Sequence, residues 1–233
     1  MSTPEGPASR NGPSVRGDTV AHRSVWQSGY WLVLALLLLS YVFCASQSSP
    51  STSLLALLFQ LLTVAVTLWV ARVAKPVLRV GWIALAVVAL AAVAVQIASF
   101  DGRILAVVLS VASMVAYLIA PMVIVAHQAK KVVVDGQTLL ASIAAYVMVG
   151  MFFTFVYNLV ALVTVAPLFG EGTVDSLTSQ LFFSFTTLTT TGYGNLVPVG
   201  AFVQSVAIIE AIAGQLFLVI AVARVVSGWR PPH

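Results

Sequence analysis

Thr186-Thr-Leu-Thr-Thr-Thr-Gly-Tyr-Gly-Asn195 is a polar, glycine-spaced run between two apolar stretches, and the reading of the whole chain turns on it. A short apolar run, Leu181 to Phe185, precedes it and a long one follows. Carbonyls of consecutive residues can point to one axis only if the backbone alternates between ordinary and left-handed conformations. Glycine reaches positive φ without a steric cost, so Gly192 and Gly194 suit such a backbone. Thr190 can add a hydroxyl to its carbonyl, and Tyr193 is large enough to wedge into packing behind the strand. Upstream, Asp175 or Ser176 is a plausible N-cap for a helix ending near Thr189. That helix would aim its negative dipole end at the inner end of the run, where it favours a cation.

The surroundings of this run are those of a membrane protein. The chain of 233 residues is 60% hydrophobic and 8% charged, with a mean hydropathy of +1.04, values that exclude an ordinary soluble domain. About 20 mostly apolar residues cross the hydrocarbon as a helix. Five runs of that kind lie at residues 26–45, 54–74, 80–100, 104–127 and 139–167, and a sixth lies at 201–226. Residues 174–189 are too few to span and sit between two spans, so a re-entrant segment is expected. Irregular backbone at that depth must be buried in protein or line a water-filled path. The predicted fold is therefore an all-α integral membrane protein with six transmembrane helices plus a re-entrant segment, a short helix followed by the glycine-spaced loop. Residues 1–25, with Pro4, Pro7, Pro13 and three arginines, read as a disordered cytoplasmic N-terminus.

Charge sets the orientation. With the N-terminus inside, ten of the eleven basic residues fall on the cytoplasmic side and only Arg103 falls outside, as the positive-inside rule asks. This accounts for the pI of about 9.5 without nucleic acid as a partner. Both termini are expected in the cytoplasm of a multi-pass protein of the plasma or inner membrane, with lipid as its surroundings.

The run from Ser176 to Ser227 resembles the pore module of tetrameric potassium channels, whose filter is T-x-G-Y-G followed by Asp or Asn. The resemblance is specific over about fifty residues and only architectural before them. It implies a passive potassium channel with a TTGYG-type filter in which Thr190, Thr191, Gly192, Tyr193 and Gly194 bind the permeant K+. No other metal or cofactor is implied. Filter support is assigned to Thr186, Phe182, Asn195 and Glu210. Rings of carbonyls require four loops and this chain has one, so a homotetramer is expected. The chain departs from the family pattern in three places. Phe182-Phe183 stand where many members have tryptophans, Asn195 replaces Asp, and residue 191 is Thr rather than Val or Ile. An indole-to-Asp tie behind the filter is therefore impossible.

The domains implied are residues 26–130, a four-helix peripheral domain in the voltage-sensor position, and residues 138–228, the pore domain. Steep voltage dependence needs 3–4 gating charges per subunit, yet no lysine or arginine lies between Arg103 and Lys130. Steep voltage gating is not expected. Residues 128–137 form a short linker, for which simple tethering is the expectation. In the last span Gly214 occupies the family's hinge position, although a membrane glycine also simply permits close packing. Helical spacing from Gly214 places Gln215, Leu218 and Val222 on one face as cavity-lining candidates.

Glu210 is the only acidic residue within a span, and a charge at that depth points to function. It either faces the cavity and concentrates cations, or lies behind the filter, protonated or hydrogen-bonded to the pore helix around Thr186. The resemblance favours the second. Asp175 is either a cap or, with Glu171, an acidic group near a cation entrance. An enzyme is not expected: His22, His127 and His233 are scattered and no nucleophile–base pair is visible. The few residues after the last span give no soluble ligand-binding domain on this chain. Two alternatives stay open, a weakly selective cation channel and a non-conducting accessory membrane subunit.

Overall fold

The computed structural model describes residues 21–46, 62–67, 69, 70, 79, 83, 86, 90, 102–129, 136–164, 166–170 and 172–228. Expectations for residues 1–20, for the spans at 54–74 and 80–100 as wholes, for linker residues 130–135 and for the chain beyond 228 lie outside the described residues. Among the described residues five helices are defined from end to end, α1 (Ala21–Ala45), α2 (Gly102–Ala129), α3 (Gly136–Val163), α4 (Leu177–Leu188) and α5 (Ala201–Gly228), and residues 62–67, 69 and 70 are also helical. Among the described residues, Arg103–Gln128, Gly136–Val163 and Ala201–Gly228 are long and apolar enough to cross a membrane, and Gly29–Ala45 is a shorter apolar helix.

These helices are apolar on every side rather than along one stripe, the pattern of a membrane span or a fully buried helix. α3 is the hub. One buried cluster joins Val33 and Leu37 of α1, Tyr117 and Ile124 of α2, Met148 and Phe155 of α3, and Leu177 and Leu181 of α4. A second joins α3, α4 and α5 through Tyr157, Phe183 and Val203. The first helices therefore share their core with α3 and α4. Tyr41 of α1 meets Phe185 of α4 edge-on, with ring centroids 5.4 Å apart. At the end of α1, the Thr178 hydroxyl donates to the Ala45 carbonyl at 3.1 Å.

Polar ties reinforce the α2–α3 pair. Asn158 Nδ2 donates to the Ser110 hydroxyl at 2.7 Å, the interhelical glue expected of a membrane asparagine. At one end of this pair, Arg103 Nε and Nη2 both donate to the Leu162 carbonyl, at 2.9 and 2.8 Å. This cation satisfies a carbonyl in the last turn of α3, where the helix dipole is negative. The one basic residue on the wrong side of the charge pattern thus has a local structural partner. At the other end, Gln128 gathers four helices. Its amide donates to the Tyr30 hydroxyl at 3.3 Å, and its side-chain oxygen accepts from Thr138 at 3.3 Å. Its main-chain carbonyl accepts from Arg224 Nη2 at 2.6 Å.

Candidate functional site

The site is built around α4, whose 12 residues reach about 18 Å at the helical rise, too short to cross the hydrocarbon. Its start is fixed by Ser176, an N-cap with φ −90° and ψ 158° whose side chain accepts from the Ser179 N–H. Asp175 does a different job. Its Oδ2 accepts from the Leu168 N–H at 2.9 Å, and the Leu168 carbonyl accepts from the Val199 N–H at 2.8 Å. The loops before and after α4 are laced together at this residue. The acidic-entrance reading of Glu171 falls on a residue outside those described.

α4 ends at Leu188, with Thr189 as its C-cap. From there the backbone is left-handed at every second residue: φ is 56° at Thr190, 52° at Gly192 and 77° at Gly194. For the glycines this carries no steric penalty. For Thr190, a β-branched residue, it is an outlier that costs about 1–3 kcal/mol and persists only where neighbours enforce it. The neighbours are present. The Thr186 carbonyl accepts from the N–H groups of both Thr191 and Gly192, at 2.8 and 3.1 Å. The Thr186 hydroxyl turns back to the Phe182 and Phe183 carbonyls. Tyr193 stacks on Phe182, with centroids 5.7 Å apart and planes 17° from parallel. Residues Thr189 to Asn195 are all exposed in the single chain, Tyr193 to 70%.

Behind α4 lies Glu210, wholly buried. Its Oε2 accepts from the Tyr157 hydroxyl at 2.7 Å, and its Oε1 lies 2.6 Å from the Ser184 hydroxyl. Ser184 also reaches the Gly150 carbonyl at 2.8 Å; with one hydroxyl proton it donates to one of the two at a time. The carboxyl thus joins α3, α4 and α5, and its partner on α4 is Ser184, two residues before Thr186. Sequence reasoning did not find Tyr157 or Ser184. The available signal is the polar pair Tyr157-Asn158 inside an otherwise apolar span.

Two glycines let α4 sit this deep. A Cβ on Gly214 would collide with the Leu188 main-chain carbonyl, and one on Gly150 would meet the Phe185 ring at 2.8 Å. The Leu188 carbonyl also accepts from the Tyr146 hydroxyl at 3.1 Å. Gly214 is therefore a point of close approach between α5 and the end of α4. The next residue, Gln215, donates through Nε2 to the Thr190 hydroxyl at 3.0 Å. Leu218 and Val222 lie apart from that contact. They line an apolar groove with Leu139, Ile143 and Tyr146 of α3.

A short helix thus lies between two helices able to cross a membrane, and its C-terminal end leads into a backbone that alternates in hand. Residues 141–228 match the model of a family described as ion channel. The matched segment begins in α3 and closes with α5, and it contains α4, the Thr190–Gly194 strand, Glu210 and Gly214. α1 and α2 lie outside it, although they pack against it. No curated protein and no solved structure matches the chain.

Proposed function

We propose that the chain is one subunit of a homotetrameric, potassium-selective channel, with Thr190, Thr191, Gly192, Tyr193 and Gly194 as its filter. The observation that carries this reading is the exposed polar backbone from Thr189 to Asn195, flanked by two helices able to cross a membrane. Main-chain groups at that depth cannot face lipid; they line a water-filled path or meet other protein. The alternation of hand at Thr190, Gly192 and Gly194 turns successive carbonyls to one side, and four copies around an axis would make the oxygen rings that replace the hydration shell of K+. The match to an ion channel family over the same residues supports this.

In this reading Phe182, Thr186, Asn195 and Glu210 hold the filter from behind, and Gln215 faces the inner cavity as the tetramer forms, with Leu218 and Val222 on the groove toward α3. Opening by a bend at Gly214 would draw α5 away from the Leu188 carbonyl. The termini lie in the cytoplasm. Arg103 is the only lysine or arginine in α2 and is engaged with Leu162, so conductance should vary only weakly with voltage. A weakly selective cation channel is the second reading. It is favoured by Tyr193, which is held to α4 by stacking on Phe182 alone, with no indole beside it.

The test is potassium flux into liposomes carrying the purified full chain, with sodium as competitor. Selective, passive K+ uptake is expected. Equal uptake of Na+ would favour the weakly selective channel, and absence of flux from a folded protein would favour an accessory subunit.

A further inference from the structure

We propose that Gln215 is a positioning residue for the innermost ion site: it fixes the Thr190 hydroxyl as an acceptor with one lone pair left for a dehydrated monovalent cation. This rests on the channel reading above and concerns how one of its sites is made. A threonine hydroxyl carries one proton and two lone pairs. In Thr190 the proton is directed at the Thr189 carbonyl, 2.7 Å away. One lone pair accepts from Gln215 Nε2 at 3.0 Å. A single lone pair is left, on an exposed face of the strand. A hydroxyl free to rotate would present its proton to a cation as readily as its oxygen; this one cannot turn without breaking a bond.

The neighbouring hydroxyls obey the same logic. Thr189 Oγ1 donates to the Phe185 carbonyl at 2.7 Å, so in its 2.9 Å contact with Thr191 Oγ1 it accepts. Thr191 must then donate, and its lone pairs are also left outward. Two successive threonines present oxygen and withhold hydrogen.

The position of Gln215 is itself constrained. Gly214 brings α5 against the Leu188 carbonyl, so the following side chain emerges beside the strand. The exposed residues nearest Gln215 on α5 are apolar, with Ile208, Ile212, Leu216 and Val219 all open. An amide there is costly unless it has a polar partner, and Thr190 is that partner. Thr190 is also the one non-glycine with positive φ among the described residues, so the Gln215 bond helps hold the strained residue as well as its hydroxyl.

The experiment uses the full chain in liposomes, comparing wild type with Gln215→Leu, Gln215→Met, Thr190→Val and the Gln215→Leu/Thr190→Val double variant. The readouts are the K+ concentration giving half-maximal flux and the inhibition by Ba2+, a divalent cation of similar size to K+, added on the cytoplasmic side. Loss of the Gln215 donor should raise both the half-saturating K+ and the inhibitory Ba2+ concentration about 5-fold, the scale of one net hydrogen bond. In the Thr190→Val background the Gln215 substitution should change neither. A mere packing role would lower assembled protein and leave both concentrations unmoved. If Gln215→Leu does not assemble, Gln215→Met removes the donor at nearly constant shape and must give the same shift. The proposal is overturned if both concentrations stay at wild-type values, or if the shift persists undiminished without the Thr190 hydroxyl. Wild-type protein without K+ flux would instead overturn the channel reading, and this proposal with it.

Discussion

α3 and α5 are both 28 residues long and nearly equal in hydropathy, 2.2 against 2.4, yet half of the α3 window is buried and only 17% of the α5 window. Composition does not separate them; position does. α3 has helices on several sides, whereas only Val203, Glu210 and Gly214 of α5 are buried and most of its other positions are open or half-open. In a membrane an open apolar face needs no protein partner, because lipid tails are as apolar as leucine. What cannot face lipid is polar, and Thr189–Asn195 with Gln215 beside it form a continuous open polar edge. The difference teaches that this chain is complete where α3 lies and incomplete along the polar edge beside α5.

The comparison breaks most visibly at the contacts α5 does make. Gly214→Val should have the largest effect, about 3 kcal/mol or a failure to assemble, because the new atoms meet main chain at Leu188 rather than a yielding side chain. Folded protein surviving a heating series in detergent measures it; wild-type survival would mean that α4 and α5 are not in close contact. Glu210→Leu comes next, at about 2 kcal/mol, since it leaves the buried Tyr157 hydroxyl without its acceptor. Glu210→Gln keeps an acceptor for Tyr157 and adds a donor for Ser184, so it should be much milder in the same heating series. Equal losses for the two variants would disprove the hydrogen-bonded arrangement.

Smaller effects sharpen the contrast. Gly150→Ala should cost about 1 kcal/mol, since the tip of the Phe185 ring, unlike a carbonyl, can shift aside. Arg103→Gln should cost about 0.5 kcal/mol through the loss of the cation at the end of α3, read as faster amide exchange in the last turn of that helix. On the open face of α5, Val219→Ala should change stability by less than about 0.5 kcal/mol. A large loss there would show that this face is covered by protein.

The sequence already carried much of this arrangement where the signal is local. The short helix, its start at Asp175 or Ser176 and its end near Thr189 follow from apolar length, a capping residue and the change to glycine-spaced polar residues. Which residue caps was not legible, because Asp175 is taken by Leu168, seven residues earlier in a loop. Contacts between helices were harder. Placing Glu210 against Ser184 and not Thr186 depends on the rotation of α5 against α4, and no periodicity in an all-apolar helix reports rotation. The same holds for Gln215: spacing from Gly214 grouped it with Leu218 and Val222, but its amide reaches back to Thr190 while the other two line the groove against α3. The Arg103 tie was visible only as an exception to the charge pattern.

Everything proposed for the exposed strand reduces to whether four of them surround a path that K+ follows and Na+ does not. The direct measurement is the reversal potential of the purified full chain in a planar bilayer, with K+ on one side and Na+ on the other. It should sit near the potassium equilibrium potential and move with the K+ gradient. A reversal near zero that ignores that gradient would contradict the account.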